Sequence, residues 1–205
     1  MIGLKRCCAS WLIAIILLSL SGAALAQSAP NKPGTPTWAT LPSDEATQRK
    51  WFTDLRLLDQ DNREVKFYSD VLKDKLVLIN FIFTHCQGVC PVISRTFSKT
   101  QDLLGERVGK DVFLISVSVD AERDQPAVLK KFAVEYRARP GWTFLTGKKE
   151  NVDWVIYKLG QWNENFEAHS PSFMVANVRA GRWQVMRGDA TPRQLVAMIN
   201  EIGKP

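Results

Sequence analysis

The sequence has 205 residues, of which 27 are Lys or Arg and 21 are Asp or Glu, giving a formal net charge of +6. Hydrophobic residues make up 45% and charged residues 23%, which is typical of a globular protein and excludes a disordered chain or a coiled coil. The single long apolar stretch lies at the N-terminus, which excludes a polytopic membrane protein, and the basic residues form no dense block that would favour nucleic-acid binding.

The first 26 residues have the pattern of a targeting segment. Lys5 and Arg6 precede an uncharged stretch over residues 7–26, and Ala24-Leu25-Ala26 is a small-x-small cleavage pattern. We expect a secretory signal peptide over residues 1–26. The alternative is an uncleaved membrane anchor, because the uncharged stretch is just long enough to span a bilayer. Both interpretations predict an exported protein of the bacterial periplasm, either soluble or tethered to the inner membrane.

The rest of the chain divides into a linker and one domain. We expect a linker over residues 27–49, where Pro, Ser, Thr and Ala are frequent and no period is visible. A domain over residues 50–205 follows. Its predicted elements are a hairpin (55–67), a strand (76–83), a helix (91–104), a strand (112–119), a helix from 126, a strand (142–145), a helix (152–159), two paired strands (173–178 and 183–186) and a helix from 192.

This order of elements predicts an α/β architecture, a mixed sheet flanked by helices on both sides. The strands at 76–83 (LVLINFIF) and 112–119 (VFLISVSV) are continuous apolar runs, which is typical of strands buried on both faces. Proline stands near the start of three predicted helices, as Pro91, Pro126 and Pro192, where its missing N–H costs nothing. Ligands of such sheets bind at the carboxyl ends of the strands.

Two cysteines carry the predicted chemistry. Cys7 and Cys8 belong to the targeting segment, so the exported part keeps only Cys86 and Cys90, at the bend between the first buried strand and the first long helix. Residues four apart on a helix face lie about 5–6 Å apart at Cβ, a spacing that suits two thiolates on one metal ion. The helix N-terminus should lower the pKa of Cys86. A structural disulfide and a thioredoxin-type redox couple are the alternatives, although three intervening residues favour chelation over fast exchange.

A metal site needs further ligands, and the chain has two histidines. His169 lies just before the strand at 173–178, in the loop that should face the cysteines, and is the natural third ligand. His85 should point away from Cys86, because neighbours on an extended chain alternate, and it is a minor alternative ligand. A Cys₂His set suits Cu(I) or Cu(II), and zinc is the physical competitor. The competing interpretation is that His169 is a partly exposed loop residue that does not act as a ligand.

The pattern resembles the Sco/SenC family of thioredoxin-like copper-binding proteins. The resemblance covers roughly residues 50–203 and is carried by three features: Thr84-His85-Cys86-x-x-x-Cys90-Pro91, the segment 118–126 (SVDAERDQP), and His169. It implies a thioredoxin-like fold and copper ligation by Cys86, Cys90 and His169. It also implies a role in assembling cytochrome c oxidase, either by delivering copper to an oxidase subunit or by reducing that subunit's cysteines.

The chain departs from the family pattern at several positions, including Gln87, where the family commonly has proline, and Gly88, which we expect to let the loop bend. The departures weaken the identification of the partner as an oxidase more than they weaken copper binding. Asp124 is expected to cap the helix that begins near Pro126. A cis peptide bond before Pro171 is a further hypothesis, from its place ahead of a strand.

Three functions therefore remain open at this stage. The first is an exported copper chaperone that acts by ligand exchange with a copper-accepting partner protein. The second is a thiol–disulfide oxidoreductase in which Cys86 attacks and Cys90 resolves. The third is a peroxide-reducing or redox-sensing relative on the same fold. Copper binding that depends on His169 distinguishes the first from the other two.

Overall fold

The computed structural model describes residues 41–163 and 171–204. These residues form one mixed seven-stranded sheet with helices on both faces, as the element order predicts. The elements are α1 (Glu45–Phe52), β1 (Arg56–Asp59), β2 (Glu64–Lys66), β3 (Leu76–Ile82), α2 (Cys90–Leu104), β4 (Val112–Ser118), α3 (Pro126–Glu135), β5 (Trp142–Thr146), α4 (Lys149–Lys158), β6 (Ser172–Asn177), β7 (Arg182–Arg187) and α5 (Pro192–Ile202). A π-helical turn at Phe67–Leu72 and a 3₁₀ turn at Gly105–Arg107 join neighbouring elements.

The sheet has the order β2-β1-β5-β4-β3-β6-β7. β3, β4 and β5 run parallel to one another. β1 pairs antiparallel with β5, and β6 pairs antiparallel with β3. In the register of the central strands, Ile79 lies opposite Ile115 on one side and Met174 on the other. The parallel strands β3 and β4 therefore end side by side, at the pair Ile82 and Ser118. The sheet edge formed by these strand ends is called here the carboxyl edge.

Apolar side chains cover both faces of the sheet. Val77 and Ile79 of β3 belong to a cluster that also contains residues of α1 and α4, and Leu78 and Ile82 belong to a second cluster with residues of α2, α3 and α5. Successive residues of β3 thus enter opposite cores, because side chains alternate along a strand. The prediction of a central strand buried on both faces is confirmed.

The helix starts follow the prolines. Pro91, Pro126 and Pro192 all lie in the first turn of a helix, as predicted. α5 is the best defined of these starts, because the hydroxyl of Thr191 accepts the backbone N–H of Gln194 while the Gln194 side chain accepts the backbone N–H of Thr191. This reciprocal pair satisfies two N–H groups that a helix start leaves without a partner.

One helix was not predicted from the sequence. α1 begins at Glu45, inside the stretch assigned to the linker, and Asp44 caps it by accepting the backbone N–H of Thr47 at 2.9 Å. Only Gln48 and Phe52 of this helix are buried, so its apolar pattern is too short to be recognised as periodic.

Within residues 41–163 and 171–204, no helix is both long and apolar enough to cross a membrane. The predicted targeting segment over residues 1–26 lies outside the described residues.

Candidate metal and redox site

The two cysteines lie at the carboxyl edge of the sheet, where the sequence predicts them. Cys86 is in the loop after β3, and its backbone N–H donates to the carbonyl of Phe83 at 3.2 Å. Cys90 is the first residue of α2. Both are free thiols, Cys86 partly exposed and Cys90 only 1% exposed. The expectation that both share one helix face is wrong, because the helix begins at Cys90 and leaves Cys86 in the preceding loop.

The backbone at the start of α2 surrounds the Cys86 sulfur with donors. Burial raises the pKa of this thiol, but hydrogen bonds from Cys90 and from the backbone N–H groups of Gly88 and Val89 outweigh burial, so the pKa is lowered overall. The first N–H groups of a helix have no partner within it and carry its positive end, which stabilises a thiolate. The predicted lowering is therefore confirmed, with its cause in the loop geometry.

Cys90 has the opposite electrostatic environment. Burial, together with the nearby Cys86 thiolate and the Asp124 carboxylate, raises the pKa of the Cys90 thiol to about 12. Its S–H group donates to the Cys86 sulfur. The pair thus consists of one partly exposed thiol that ionises more readily than usual and one buried thiol that resists ionisation, and the two are hydrogen-bonded to each other.

The loop bend does not depend on a special glycine conformation at Gly88. A Cβ atom placed on Gly88 would meet only the Cys86 sulfur, at 3.9 Å, an ordinary van der Waals contact, and the backbone is not in the left-handed region. The bend therefore does not require glycine at position 88.

Asp124 fixes the start of the cysteine loop. Its fully buried carboxylate accepts the Thr84 hydroxyl at 2.6 Å, the Thr84 backbone N–H at 3.1 Å and the Ser118 hydroxyl at 2.7 Å. The prediction that Asp124 caps α3 is wrong: Gln125 is the N-cap residue, and it makes no side-chain capping bond. The carboxylate binds the hydroxyls of Thr84 and Ser118 instead of the helix start. The parallel pairing of β3 and β4 places these two hydroxyls next to each other.

Asp120 stabilises the turn that precedes Asp124. Its backbone carbonyl accepts the N–H groups of Arg123 and Asp124, at 3.2 and 2.9 Å. The side chain is 7% exposed and lies 3.7 Å from the Arg123 guanidinium. Asp120 thus stabilises the turn that places the Asp124 carboxylate beside Thr84.

His85 is turned toward Asp124. Its Nδ1 atom lies 3.2 Å from the Thr84 hydroxyl and 3.9 Å from an Asp124 carboxylate oxygen, and the side chain is 58% exposed. Among residues 41–163 and 171–204, no three His, Cys, Asp or Glu side chains gather closely enough to hold a metal ion. His85 therefore does not complete a three-ligand set with the two sulfurs.

His169 and Ser170 lie outside the described residues, so the third ligand and the cis peptide bond before Pro171 stay predictions. The flanking residues are described. β6 runs antiparallel to β3 with Phe173 opposite Asn80, so the chain enters β6 at the carboxyl edge. The Ser172 hydroxyl donates to the Gln161 side chain at 2.8 Å and ties the two ends of the intervening loop together.

Two apolar residues close to Cys90 in the chain are exposed to solvent. Val89 is 44% exposed and Val92 is 54% exposed, although both flank the buried Cys90.

Comparison with known proteins agrees with this geometry. The chain is 40% identical over 95 residues to an SCO1 protein homolog of Bacillus subtilis, covering 45% of this chain and 47% of that protein. It spans about half the length of the curated relatives that it matches first.

Similarity to solved structures covers a larger share of the chain. Bradyrhizobium japonicum ScoI, solved with copper bound, superposes with a TM-score of 0.60 at 27% identity, covering 72% of this chain and 96% of that one. BsSco, described as a member of the Sco family of cytochrome c oxidase assembly proteins with a disulfide switch, superposes with a TM-score of 0.61 at 28% identity, covering 72% and 90%. The fold is accordingly thioredoxin-like. The SCO1/SenC family model matches residues 43–202, and the chain belongs to that family.

Proposed function

We propose that this protein is an exported copper-binding metallochaperone that holds copper between Cys86, Cys90 and His169. One observation carries the proposal: at the carboxyl edge of the sheet, the Cys86 sulfur, whose pKa is lowered, accepts a hydrogen bond from the Cys90 thiol. Thiolates select Cu(I), and an added imidazole also accommodates Cu(II). The copper-bound Bradyrhizobium relative supports the choice of metal.

The two sulfurs would bind copper one after the other, Cys86 first and Cys90 second. Cys86 is accessible and has a lowered pKa, so it offers a thiolate to an incoming ion. Cys90, with a pKa raised to about 12, must release its proton when copper binds, because the thiolate is the ligand. Only the reduced dithiol can accept copper, so the oxidation state of the pair controls loading.

The strand pairing supports His169 as the third ligand. His169 is two residues before Pro171, so the extended chain allows at most about 7 Å between their Cα atoms. Pro171 leads into β6, which is paired with β3, and β3 leads into the cysteine loop. Both loops therefore leave the sheet at its carboxyl edge, from neighbouring strands.

The two histidines provide a matched test of this ligand set. We expect His169→Ala to weaken copper binding strongly and His85→Ala, at the exposed histidine beside Asp124, to leave it close to that of the unchanged protein. Anaerobic titration of the reduced protein with a competing Cu(I) chelator measures both affinities and the stoichiometry. Unchanged affinity in His169→Ala would contradict three-ligand coordination.

The asymmetry of the thiols favours a second candidate function, thiol–disulfide exchange. The Cys86 thiolate would attack a sulfur of a partner's disulfide, form a mixed disulfide and release one partner thiolate. Cys90, after losing its proton, would attack the Cys86 sulfur and release the second, so the partner is reduced and this pair is oxidised. Exchange that survives in His169→Ala, measured by reduction of a model disulfide, would show that this chemistry is independent of the metal site.

The proposed partner is a copper-accepting protein, such as a subunit of cytochrome c oxidase, because one similar structure belongs to an assembly protein of that oxidase. We propose a periplasmic location, with residues 7–26 serving as a membrane tether if they are not removed. Mass spectrometry of the protein from a bacterial envelope fraction tests the alternatives. A chain beginning at Gln27 would show a cleaved signal, and a chain that retains residues 7–26 would show an anchor.

A further inference from the structure

A large basic cleft lies at the edge of the sheet opposite the cysteines. It has a volume of about 940 Å³ and is bordered by the first residue of β3, Leu76, and by the turn between β6 and β7. Six basic side chains line this basic cleft: Lys75, Arg107, Lys110, Arg179, Arg182 and Lys204. Only two acidic side chains, Asp74 and Asp111, join them, which leaves an excess of four positive charges.

Ion pairs neutralise only part of this charge. Arg107 pairs with Asp111 at 2.9 Å, and Arg179 lies 3.9 Å from Asp74 with its side chain 74% exposed. Lys110 pairs with Glu106 on the rim, and its side chain stays 69% exposed. The cleft therefore presents accessible cations to solvent.

Lys75, Arg182 and Lys204 are the three remaining cations of the cleft. Within residues 41–163 and 171–204, no Asp or Glu oxygen lies within 4 Å of the charged nitrogens of Lys75, Arg182 or Lys204. Arg182 instead donates to the backbone carbonyl of Lys204, and Lys75 to that of Asp70. These contacts hold the cations along the cleft without neutralising them.

The chain enters the domain beside this cleft. The backbone of Ser43 packs so closely on Gly181, in the turn that borders the cleft, that a Cβ atom on Gly181 would lie 1.8 Å from the Ser43 carbonyl oxygen. Close by, the Gln48 side chain donates to the carbonyl of Val178 at 3.1 Å. The point at which the predicted linker reaches the domain is therefore fixed at the basic edge.

We propose that the basic cleft docks on an anionic phospholipid surface and directs the cysteines away from that surface. Residues 27–40 connect the uncharged stretch 7–26 to the described domain and span at most about 50 Å, so in an anchored chain the described domain begins within that distance of the bilayer. Clustered Lys and Arg side chains are attracted to such a surface within about a Debye length. The seven residues of β3 separate the cleft from the cysteine loop by about 20 Å. The inference rests on the tether described under the proposed function.

Amine labelling of the full chain in lipid nanodiscs tests this docking. Nanodiscs of zwitterionic phosphatidylcholine are compared with discs that also contain phosphatidylglycerol. We expect Lys110 and Lys204 to be labelled about threefold more slowly in the anionic discs, and the difference to disappear in high salt. Lys99 and Lys131, exposed on α2 and α3, should be labelled at equal rates in both. Equal labelling of the cleft lysines in both discs would overturn the proposal.

Charge reversal separates the cleft from the general charge of the protein. Arg179→Glu combined with Lys204→Glu should abolish the protection of Lys110, and Lys131→Glu combined with Arg193→Glu, on other faces, should preserve it. Protection that persists in the first variant, or is lost equally in both, would refute docking through this cleft.

Two further arms identify the anion and the tether. Inorganic phosphate added to zwitterionic discs should give no protection, and full protection would overturn lipid docking in favour of a small-anion site. If residues 7–26 do not anchor the chain, the protein will dissociate from zwitterionic discs in high salt, and this result is distinguishable from a failure of docking. Neither arm involves copper, so failure of the proposed metal site would be recognised independently by copper titration.

Discussion

Replacing Asp124 with asparagine tests whether this carboxylate holds the cysteine loop in place. The side chain is fully buried and accepts hydrogen bonds from the Thr84 hydroxyl, the Thr84 backbone and the Ser118 hydroxyl. The substitution removes the charge and turns one acceptor oxygen into an NH₂ group that faces donors. A hydrogen bond to a charged group contributes about 1.5–3 kcal/mol, so we expect a loss of about 2–3 kcal/mol in the free energy of unfolding.

Asp102→Asn is the matched control for this measurement. Asp102 is 69% exposed and lies 3.5 Å from Arg139, so its loss should cost no more than about 0.5 kcal/mol. Urea denaturation of both variants gives the two free energies. Amide hydrogen exchange gives a local readout, in which only Asp124→Asn should accelerate exchange at Thr84 and Cys86. An Asp124→Asn variant as stable as the control, with unchanged exchange, would refute the role of Asp124.

Two further predictions concern thiol reactivity and a close backbone contact. Iodoacetamide labelling followed by mass spectrometry should modify Cys86 at lower pH than Cys90, because thiolate forms as pH rises through the pKa, which is lowered for Cys86 and raised to about 12 for Cys90. The reverse order would contradict the assignment. Gly181→Ala should destabilise the fold by more than about 2 kcal/mol in urea denaturation, because the new methyl group would overlap the backbone of Ser43. Gly105→Ala, at a φ of +57° with no atom within 4 Å, should cost only about 1 kcal/mol, and equal losses in the two variants would argue against the close contact.

The sequence predicts most of the fold because its strongest signals are local. The apolar runs that became β3 and β4 and the prolines at the starts of α2, α3 and α5 mark each element without reference to the others. α1 was not predicted because it is short and mostly polar and buries only two side chains. Its stability comes from packing against the rest of the domain, which no local pattern reveals.

At the candidate site, the sequence predicted that the two cysteines lie together but did not predict the geometry around them. The spacing of Cys86 and Cys90 identified the pair, but whether Cys86 lay inside the helix depended on where the helix began. Asp124, two residues before Pro126, fits a cap locally. Its actual partners, Thr84 and Ser118, become visible only when β3 and β4 are placed side by side in parallel. A hydroxyl residue just after one buried strand and another at the end of the next is the signal that could have indicated this network.

The copper K-edge X-ray absorption spectrum of the reduced, Cu(I)-loaded protein tests the central claim most directly. If Cys86, Cys90 and His169 converge on one ion, the spectrum will show two sulfur scatterers and one imidazole. The imidazole contribution will be lost in His169→Ala and retained in His85→Ala. A spectrum without imidazole in the unchanged protein, or an imidazole signal that survives His169→Ala, would contradict the account.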